Sequence, residues 1–166
     1  MDNFELLRAR RSIRLFQDKG IAKEVLEKIV DCARFAPTAR NVQPWEFVAV
    51  TDKLKLSELA KLADNGKFIS LAAACVAVFC SDTKYYLEDG CAATCNILLA
   101  AEASGIGSCW VAGDKKAYCQ QVSTLLNAPS DMKLISLIAL GYSRENDSPN
   151  LINKRQLQDI LHWEEF

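Results

Sequence analysis

The segment AATCNILLAAEA (Ala92–Ala103) would be apolar on nearly every side if it formed a helix, and Glu102 is its only charged residue. A helix of this kind has to be buried, so the segment predicts the central helix of the fold, within a longer helix from Tyr85 to Ser104. Gly105 is expected to end that helix, because glycine readily adopts the left-handed conformation that closes helices.

On either side of this helix, short apolar runs predict strands. The predicted strands are Trp45–Val50, Cys75–Cys80, Ser108–Val111 and Leu134–Leu140. The second and fourth are continuous apolar runs, which is typical of strands buried on both faces. Further helices are predicted at Asp2–Arg11, Ile21–Ala36, Leu54–Ala63 and Lys115–Leu126. Because helices and strands are interleaved, we expect a sheet covered by helices on both faces.

The composition narrows the class of protein. A chain of 166 residues suits one domain, and 20 basic against 21 acidic residues leave a net charge of −1. This balance argues against a broad nucleic-acid or membrane-binding surface. The N-terminus lacks the pattern of a signal peptide, and no apolar run is long and charge-free enough to span a membrane. We therefore expect a cytoplasmic protein.

The seven cysteines are odd in number and include no CxxC pair, which argues against a disulfide framework or a zinc ribbon. Cys91 and Cys95 would share a helix face and could be two metal ligands. Packing in the core is the favoured interpretation, since the single histidine, His162, is far along the chain. No metal site is predicted, and a reducing compartment suits this use of cysteine.

Common catalytic motifs are missing from the sequence. GIGSCW, starting at Gly105, departs from GxGxxG at Trp110 and follows a predicted helix rather than a strand. GxxxxGK[ST], HExxH and GxSxG do not occur. A histidine-based acid–base mechanism would have to use His162, near the C-terminus. If the protein is an enzyme, a cofactor is expected to carry the chemistry.

RARRSIRLF (Arg8–Phe16) places four arginines within seven residues. In an extended segment Arg10, Ser12 and Arg14 would point to one side, which suits a phosphate group. Basic residues near a helix end also interact favourably with the helix dipole. The pattern alone does not choose between these interpretations.

A second motif follows the first long helix, APTARNVQPWEF (Ala36–Phe47). Its amide side chains, Asn41 and Gln43, can hydrogen-bond the edge of a heterocycle. RRSIR followed by this loop resembles the FMN-dependent nitroreductase family. The resemblance continues through Gly90–Gly113, Leu137–Glu145 and Asn153–Phe166.

The resemblance implies an α+β fold, an α/β/α sandwich with a central mixed sheet flanked by helices. It also implies a homodimer that binds FMN at the interface, each site lined by both subunits. The C-terminal extension, from about residue 150 to residue 166, would pack on the partner subunit. This suits a tail that carries Leu157, Ile160, Leu161 and Trp163 after a polar stretch.

The resemblance also implies the cofactor-binding residues, in four groups. The phosphate and ribityl side would be held by Arg10, Arg11, Ser12 and Arg14, with Arg14 also near the ring. The flavin would be contacted from the other subunit by Pro37, Thr38, Ala39, Asn41 and Gln43. The edge of the ring near N5 would face Val111, Ala112 and Gly113, and Asn65 matches a ring-contacting asparagine. The basic positions that complete the phosphate site would be Lys154 and Arg155.

The leading functional hypothesis is transfer of a hydride from NADH or NADPH through FMN to a nitroaromatic, a quinone or a similar electron-poor acceptor. No side chain is assigned as a catalytic acid or base. The alternatives are another flavin reaction (flavin fragmentation, dehalogenation or heterocycle oxidation) or a flavin-binding protein with little turnover. Two departures from the family pattern stand out. Ala112 replaces an acidic residue, and Arg40 replaces a small one and could favour an anionic substrate.

Overall fold

The computed structural model describes residues 3–144 and 153–166. The helices are α1 (Asn3–Ala9), α2 (Lys23–Ala33), α3 (Lys53–Leu62), α4 (Tyr86–Ala103) and α5 (Cys119–Leu125). The strands are β1 (Trp45–Val50), β2 (Ala74–Ser81), β3 (Gly107–Ala112) and β4 (Met132–Gly141). Short 3-10 turns occupy Ala39–Asn41, Lys67–Leu71 and Leu157–Asp159.

The four strands form one sheet in the order β1-β2-β4-β3. Each of the three pairings is antiparallel. Among the described residues, parallel pairing is limited to a single bridge between Ser12 and Ser108 at the β3 edge. The mixed character expected of the sheet therefore rests on this bridge alone.

Helices cover the two faces of the sheet, and each face has its own core. On one face, α2 and α4 pack against side chains such as Val76, Val78 and Ile138. On the other, α3, α5 and the turn Lys67–Leu71 cover Ala77 and Leu137. Consecutive strand residues point to opposite faces, so both sets come from the same strands. The predicted α+β sandwich is confirmed.

The central helix is α4, as predicted, but it is not buried on every side. Ala93, Ile97 and Ala101 are fully buried against the sheet, whereas Cys95 is exposed in this single chain. Core packing was therefore the wrong interpretation for Cys95. Gly105 ends the helical region with φ of 69°, the left-handed conformation expected there.

The segment after α1 runs along the edge of the sheet. Ile13 N donates to Ser108 O at 2.9 Å, and Phe16 forms a bridge with Ser143. Ile13 and Phe16 are buried, while Arg14 between them is exposed. The apolar residues of this segment thus anchor it in the core and leave its polar residues outside.

Four of the five predicted helices are longer than the observed ones, and for two of them the backbone shows why. The first was expected to reach Arg11 but ends at Ala9, because the chain there turns to pair with β3. The fifth was expected from residue 115, where Lys115 has a positive φ of 59° that a helix cannot accommodate. Regular helix therefore begins only at Cys119.

The C-terminal tail is exposed along the whole of its described part, residues 153–166. Trp163 exposes 78% of its surface and Leu157 66%. Residues 145–152 lie outside the described residues, so the predicted start of the tail near residue 150 and the end of the Leu137–Glu145 match fall there. In the described residues, no helix has both the length and the apolar character needed to cross a membrane.

Candidate functional site

A cavity of about 460 Å³ brings together residues from the two ends of the chain. Its lining consists of Leu7, Arg8, Arg10, Arg11, Ser12 and Lys154. Four cationic side chains and a hydroxyl thus share one concave surface. Such a set of donors suits an anion with several oxygen atoms, and a phosphate above all.

Arg10, Ser12 and Arg14 also affect one buried thiol, that of Cys109 on β3. Burial raises the pKa of the Cys109 thiol, whereas the charges of Arg14 and Arg10 and a hydrogen bond with Ser12 act to lower it. Arg10 and Ser12 both line the cavity, and the common side expected for all three residues stays a prediction. The guanidinium of Arg14 also lies over the ring of Phe68, 5.7 Å from its centroid.

Arg11 has a more local role than the sequence predicted. Its Nη1 donates to Ala9 O at 3.1 Å and to Arg10 O at 3.0 Å, and it also bonds Arg8 O. These are carbonyls at and just beyond the C-terminal end of α1, which have no partner within a helix. Arg8 is the basic residue in the last turn of α1, and it also lines the cavity.

The end of β3 is held tightly by its surroundings. The backbone N–H of Gly113 donates to Ile135 O at 2.9 Å. A β-carbon on Gly113 would lie 2.7 Å from Leu134 Cγ and 2.8 Å from the carbonyl carbon of Ile135. Glycine is therefore required at this position.

Two residues of the following segment support the same strand end. The hydroxyl of Tyr118 donates to Ala112 O, and the thiol of Cys119 donates to Gly113 O. Neither contact could be predicted from the sequence, since both depend on how the chain folds back after β3. Ala112 itself is exposed, in keeping with an expected position against a ligand.

The segment after α3 approaches β3 from the side. A β-carbon on Gly66 would lie 3.4 Å from Val111 Cγ1, and Phe68 lies beneath Arg14. Asn65 precedes Gly66 and is exposed. The ring contact expected of Asn65 stays a prediction.

The loop from Pro37 to Gln43 is organised by Asp89 of α4, a residue that the sequence analysis missed. The Asp89 side chain is only 5% exposed. It accepts from the Thr38 hydroxyl at 2.7 Å and from Ala39 N at 3.2 Å. The same hydroxyl accepts from Gln43 N at 3.0 Å. A carboxylate near the N-terminus of a helix is also stabilised by the helix dipole.

This loop has an unusual backbone. Arg40, Asn41 and Gln43 have φ of 55°, 57° and 51°. Residues other than glycine seldom adopt this conformation, and each instance costs of order 1 kcal/mol. The hydrogen bonds around Asp89 are what hold the loop in this shape. The side chains of Asn41 and Gln43 bond to each other, with Gln43 Nε2 3.1 Å from Asn41 Oδ1.

The arginine cavity and the loop do not meet within one chain. The loop leads into β1, at one edge of the sheet, and the arginine segment lies beside β3, at the other. Three strand spacings separate the two edge strands, which amounts to about 14 Å. Among the described residues, those that line the arginine cavity differ from those that line the two cavities beside the loop.

The two basic residues of the tail behave differently. Lys154 lines the arginine cavity. Arg155 does not; its Nη2 donates to Asp159 O at 2.5 Å within the exposed tail. Only one of the two predicted basic positions is therefore brought to the arginines in the single chain.

Comparison with known proteins gives a consistent result. A family model described as the nitroreductase family matches residues 7–88 and 80–142. A protein of Archaeoglobus fulgidus, whose name gives NADH dehydrogenase/NAD(P)H nitroreductase as its assumed activity, is 33% identical over 170 residues. The match covers 98% of this chain and 97% of that protein.

Two solved structures illustrate the likeness in three dimensions. An FMN-dependent nitroreductase from Clostridium difficile has a TM-score of 0.88 and 28% identity, over 98% of this chain and 99% of its own. A nitroreductase with bound FMN from Bacteroides fragilis has a TM-score of 0.81 and 26% identity, over 99% of this chain and 100% of its own.

Proposed function

Since the chain belongs to the nitroreductase family, we propose that it is an FMN-dependent oxidoreductase. Its electron donor would be NADH or NADPH, and its acceptor an electron-poor compound such as a nitroaromatic or a quinone. The observation that carries this proposal is the cavity in which Arg10, Ser12 and Lys154 come together beside β3.

The residues around this cavity fit the phosphate end of FMN. Arg8, Arg10 and Lys154 supply positive charge, and the hydroxyl of Ser12 can donate or accept. A phosphate monoester carries nearly two negative charges near neutral pH, and arginine meets it with a planar fork of donors. Lys154 would tie the C-terminal segment to the same group.

The ring would lie toward the other end of β3. The strand ends at Ala112, and the tightly packed Gly113 leaves backbone rather than a side chain facing a ligand there. Asn65 and Arg14 lie beside the same strand. The guanidinium of Arg14 near the ring would stabilise negative charge on it.

The loop Pro37–Gln43 would contact the ring from the second subunit of a homodimer. The support for this is the division of the predicted residues between two edges of the sheet in one chain. The exposed apolar tail also supports a dimer, because Ile160 and Trp163 are exposed in the single chain and would be buried by packing on a partner. A symmetric dimer would let each copy supply what the other lacks.

When bound, FMN would take up a hydride from the nicotinamide and release electrons to the acceptor. The residues of this chain would bind, orient and neutralise charge. His162 lies in the exposed tail, and no side chain is assigned as an obligatory acid or base. Asp89 is a positioning residue, since its carboxylate is used up in holding the loop.

The direct test begins with the flavin content of the purified protein and its affinity for added FMN. NADH or NADPH should then bleach the flavin absorbance without oxygen, and a nitroaromatic or quinone should restore it. Protein that neither carries nor binds FMN would contradict the proposal. Bound flavin that no nicotinamide bleaches would instead indicate a flavin carrier, and cleavage products of FMN would indicate a fragmenting enzyme.

The dimer is tested separately by the mass in solution. Truncation after Asn150 removes the whole tail and should both shift the protein toward monomer and weaken FMN binding. The full chain is the control. A monomeric full chain that binds FMN tightly would contradict the shared site.

A further inference from the structure

A small cavity of about 200 Å³ lies between the loop and the beginning of α4. Its lining consists of Ala39, Arg40, Val42, Thr83, Lys84, Tyr85 and Asp89. Arg40 stands between Ala39 and Asn41, two of the residues proposed to contact the flavin. The cavity therefore opens beside the position proposed for the ring.

The cavity carries a net positive charge. Arg40 and Lys84 are both exposed, and across residues 3–144 and 153–166 neither takes part in a salt bridge. The one carboxylate in the lining, Asp89, already accepts from the Thr38 hydroxyl and Ala39 N.

Among the described residues, the nearby acidic groups form no salt bridge with these cations. Asp82 is 3.1 Å from Lys133 Nζ and is paired there. Glu88 lines a neighbouring cavity that shares Ala39 and Asp89 with the small one, and within the described part of the chain it forms no salt bridge with either cation. Two cations thus face the open space of the small cavity.

Tyr85 supplies an apolar surface beside the charges. Its ring is 38% exposed, and Lys84 Nζ lies 5.1 Å from the ring centroid. Sites that hold a whole drug-sized ligand have volumes of about 300–1,000 Å³. The smaller volume here suits one substituent of a ligand whose ring lies outside, against the flavin.

We propose that Arg40 and Lys84 bind the acidic group of the electron acceptor, so that the preferred acceptor is an aromatic compound carrying a carboxylate or a similar anion. This inference rests on the proposed function, because it places the acceptor at the flavin. The left-handed backbone at Arg40 favours binding of this anionic group, since the loop held by Asp89 turns Arg40 out of the core.

The test uses two acceptors of similar shape, 4-nitrobenzoate and 4-nitrobenzyl alcohol, of which only the first is charged. The quantity measured is the ratio of their kcat/KM values. Arg40→Gln is expected to lower this ratio about tenfold relative to the unmodified protein, the effect of one charge-assisted bond partly screened by water. Lys84→Gln should lower it by a smaller factor, and Arg40→Lys should retain most of it.

Lys55→Gln is the matched control, since Lys55 is an exposed cation on α3, at the opposite face of the sheet. It should leave the ratio unchanged. A ratio that stays the same in both Arg40→Gln and Lys84→Gln, or that falls equally in Lys55→Gln, would overturn the inference.

The nicotinamide dinucleotide also carries phosphate, so the two half-reactions are measured apart. Arg40→Gln should change the reoxidation of the flavin by 4-nitrobenzoate. An effect confined to flavin reduction by NADH or NADPH would assign the cations to the dinucleotide and overturn the acceptor assignment.

Binding without turnover gives an independent readout. Calorimetric titration of the oxidised holoprotein should detect benzoate more tightly than benzyl alcohol, and Arg40→Gln should abolish the difference. Equal affinities in the unmodified protein would overturn the inference. If the protein bound no FMN, the proposed function would fail first, and this inference with it.

Discussion

The segment Arg8–Arg14 and the loop Pro37–Gln43 are held in place by different means. The first is a piece of the sheet edge, paired with Ser108 through backbone bonds and anchored by buried Ile13. The second is an irregular loop with three left-handed residues, tied to α4 through the carboxylate of Asp89.

The charged groups of the two regions also have opposite effects on the pKa of a cysteine thiol. Burial raises the pKa of both Cys80 and Cys109, but Asp89 adds to the rise at Cys80, whereas Arg14 and Arg10 oppose it at Cys109. The arginine half of the proposed site is therefore positively charged and is held in place by backbone hydrogen bonds. The loop half is held in place by a single buried negative charge, that of Asp89. The segment Arg8–Arg14 should therefore tolerate the loss of one side chain better than the loop Pro37–Gln43.

The largest effect is expected from Gly113→Ala, at the end of β3, the strand with which the arginine segment pairs. The new β-carbon would meet Leu134 and the backbone of Ile135 at under 3 Å. We expect the free energy of unfolding to fall by about 3 kcal/mol, the upper range for overpacking, as measured by urea denaturation. Gly20→Ala is the control, because a β-carbon there meets nothing within 4 Å. Equal stability of the two variants would show that the end of β3 is not rigid.

Asp89→Asn tests the dependence of the loop on one carboxylate. The amide can replace one accepting oxygen but not both, so a buried donor is left without a partner. We expect a loss of about 2 kcal/mol in the free energy of unfolding and faster proteolysis between residues 37 and 43. Thr38→Val removes only the hydroxyl and should have a smaller effect in the same direction. A loop as protected in Asp89→Asn as in the unmodified protein would refute this dependence.

Arg10→Ala should weaken FMN binding about tenfold, because a charge-assisted bond in a cavity open to water falls at the low end of 1.5–3 kcal/mol. Arg11→Ala is the matched comparison. Since Arg11 donates to the carbonyls at the end of α1, its loss should lower helix content more than FMN affinity. Fluorescence titration and circular dichroism separate the two. Arg10→Ala and Arg14→Ala variants with intact affinity would return the cluster to a helix-end role.

The last predicted effect is confined to alkaline pH and acts through Cys80. The pKa of this thiol is raised from 9.0 to about 12, first by burial and then by Asp89 and Cys91. Between these pH values the unfolded chain loses the proton and the folded protein keeps it. Stability should therefore decline with rising pH, by about 1.4 kcal/mol per pH unit for this group.

Cys80→Ala should show a shallower decline between pH 9 and 11 and the same slope as the unmodified protein between pH 6 and 8. Urea denaturation over this range measures both. Parallel curves for the two proteins above pH 9 would contradict the assignment of the alkaline slope to Cys80.

Much of the fold could be predicted from local pattern. The strand Trp45–Val50 was predicted to the residue, and the apolar run of β2 missed by one residue at each end. The secondary structure of such segments is determined by their own residues, since an alternating or continuously apolar pattern is compatible with few other structures. The order of the strands was not predicted, because it depends on contacts between distant parts of the chain.

The site shows the same limit. The spacing of Arg10, Ser12 and Arg14 was enough to predict a common side, because an extended segment has a fixed period of two. The role of Asp89 could not be predicted, since its partners Thr38 and Ala39 lie 51 and 50 residues away along the chain. The capping of α1 by Arg11 likewise depends on where the helix ends.

The residues that pair with the arginine segment lie far from it along the chain. Ser12 pairs with Ser108, Phe16 pairs with Ser143, and Lys154 shares a cavity with Arg10. A nascent chain on the ribosome therefore exposes these arginines long before their partners have been made. Contacts of such high sequence separation form late and slowly. The chain must therefore be synthesised at least as far as Lys154 before all the residues of the proposed phosphate site are present.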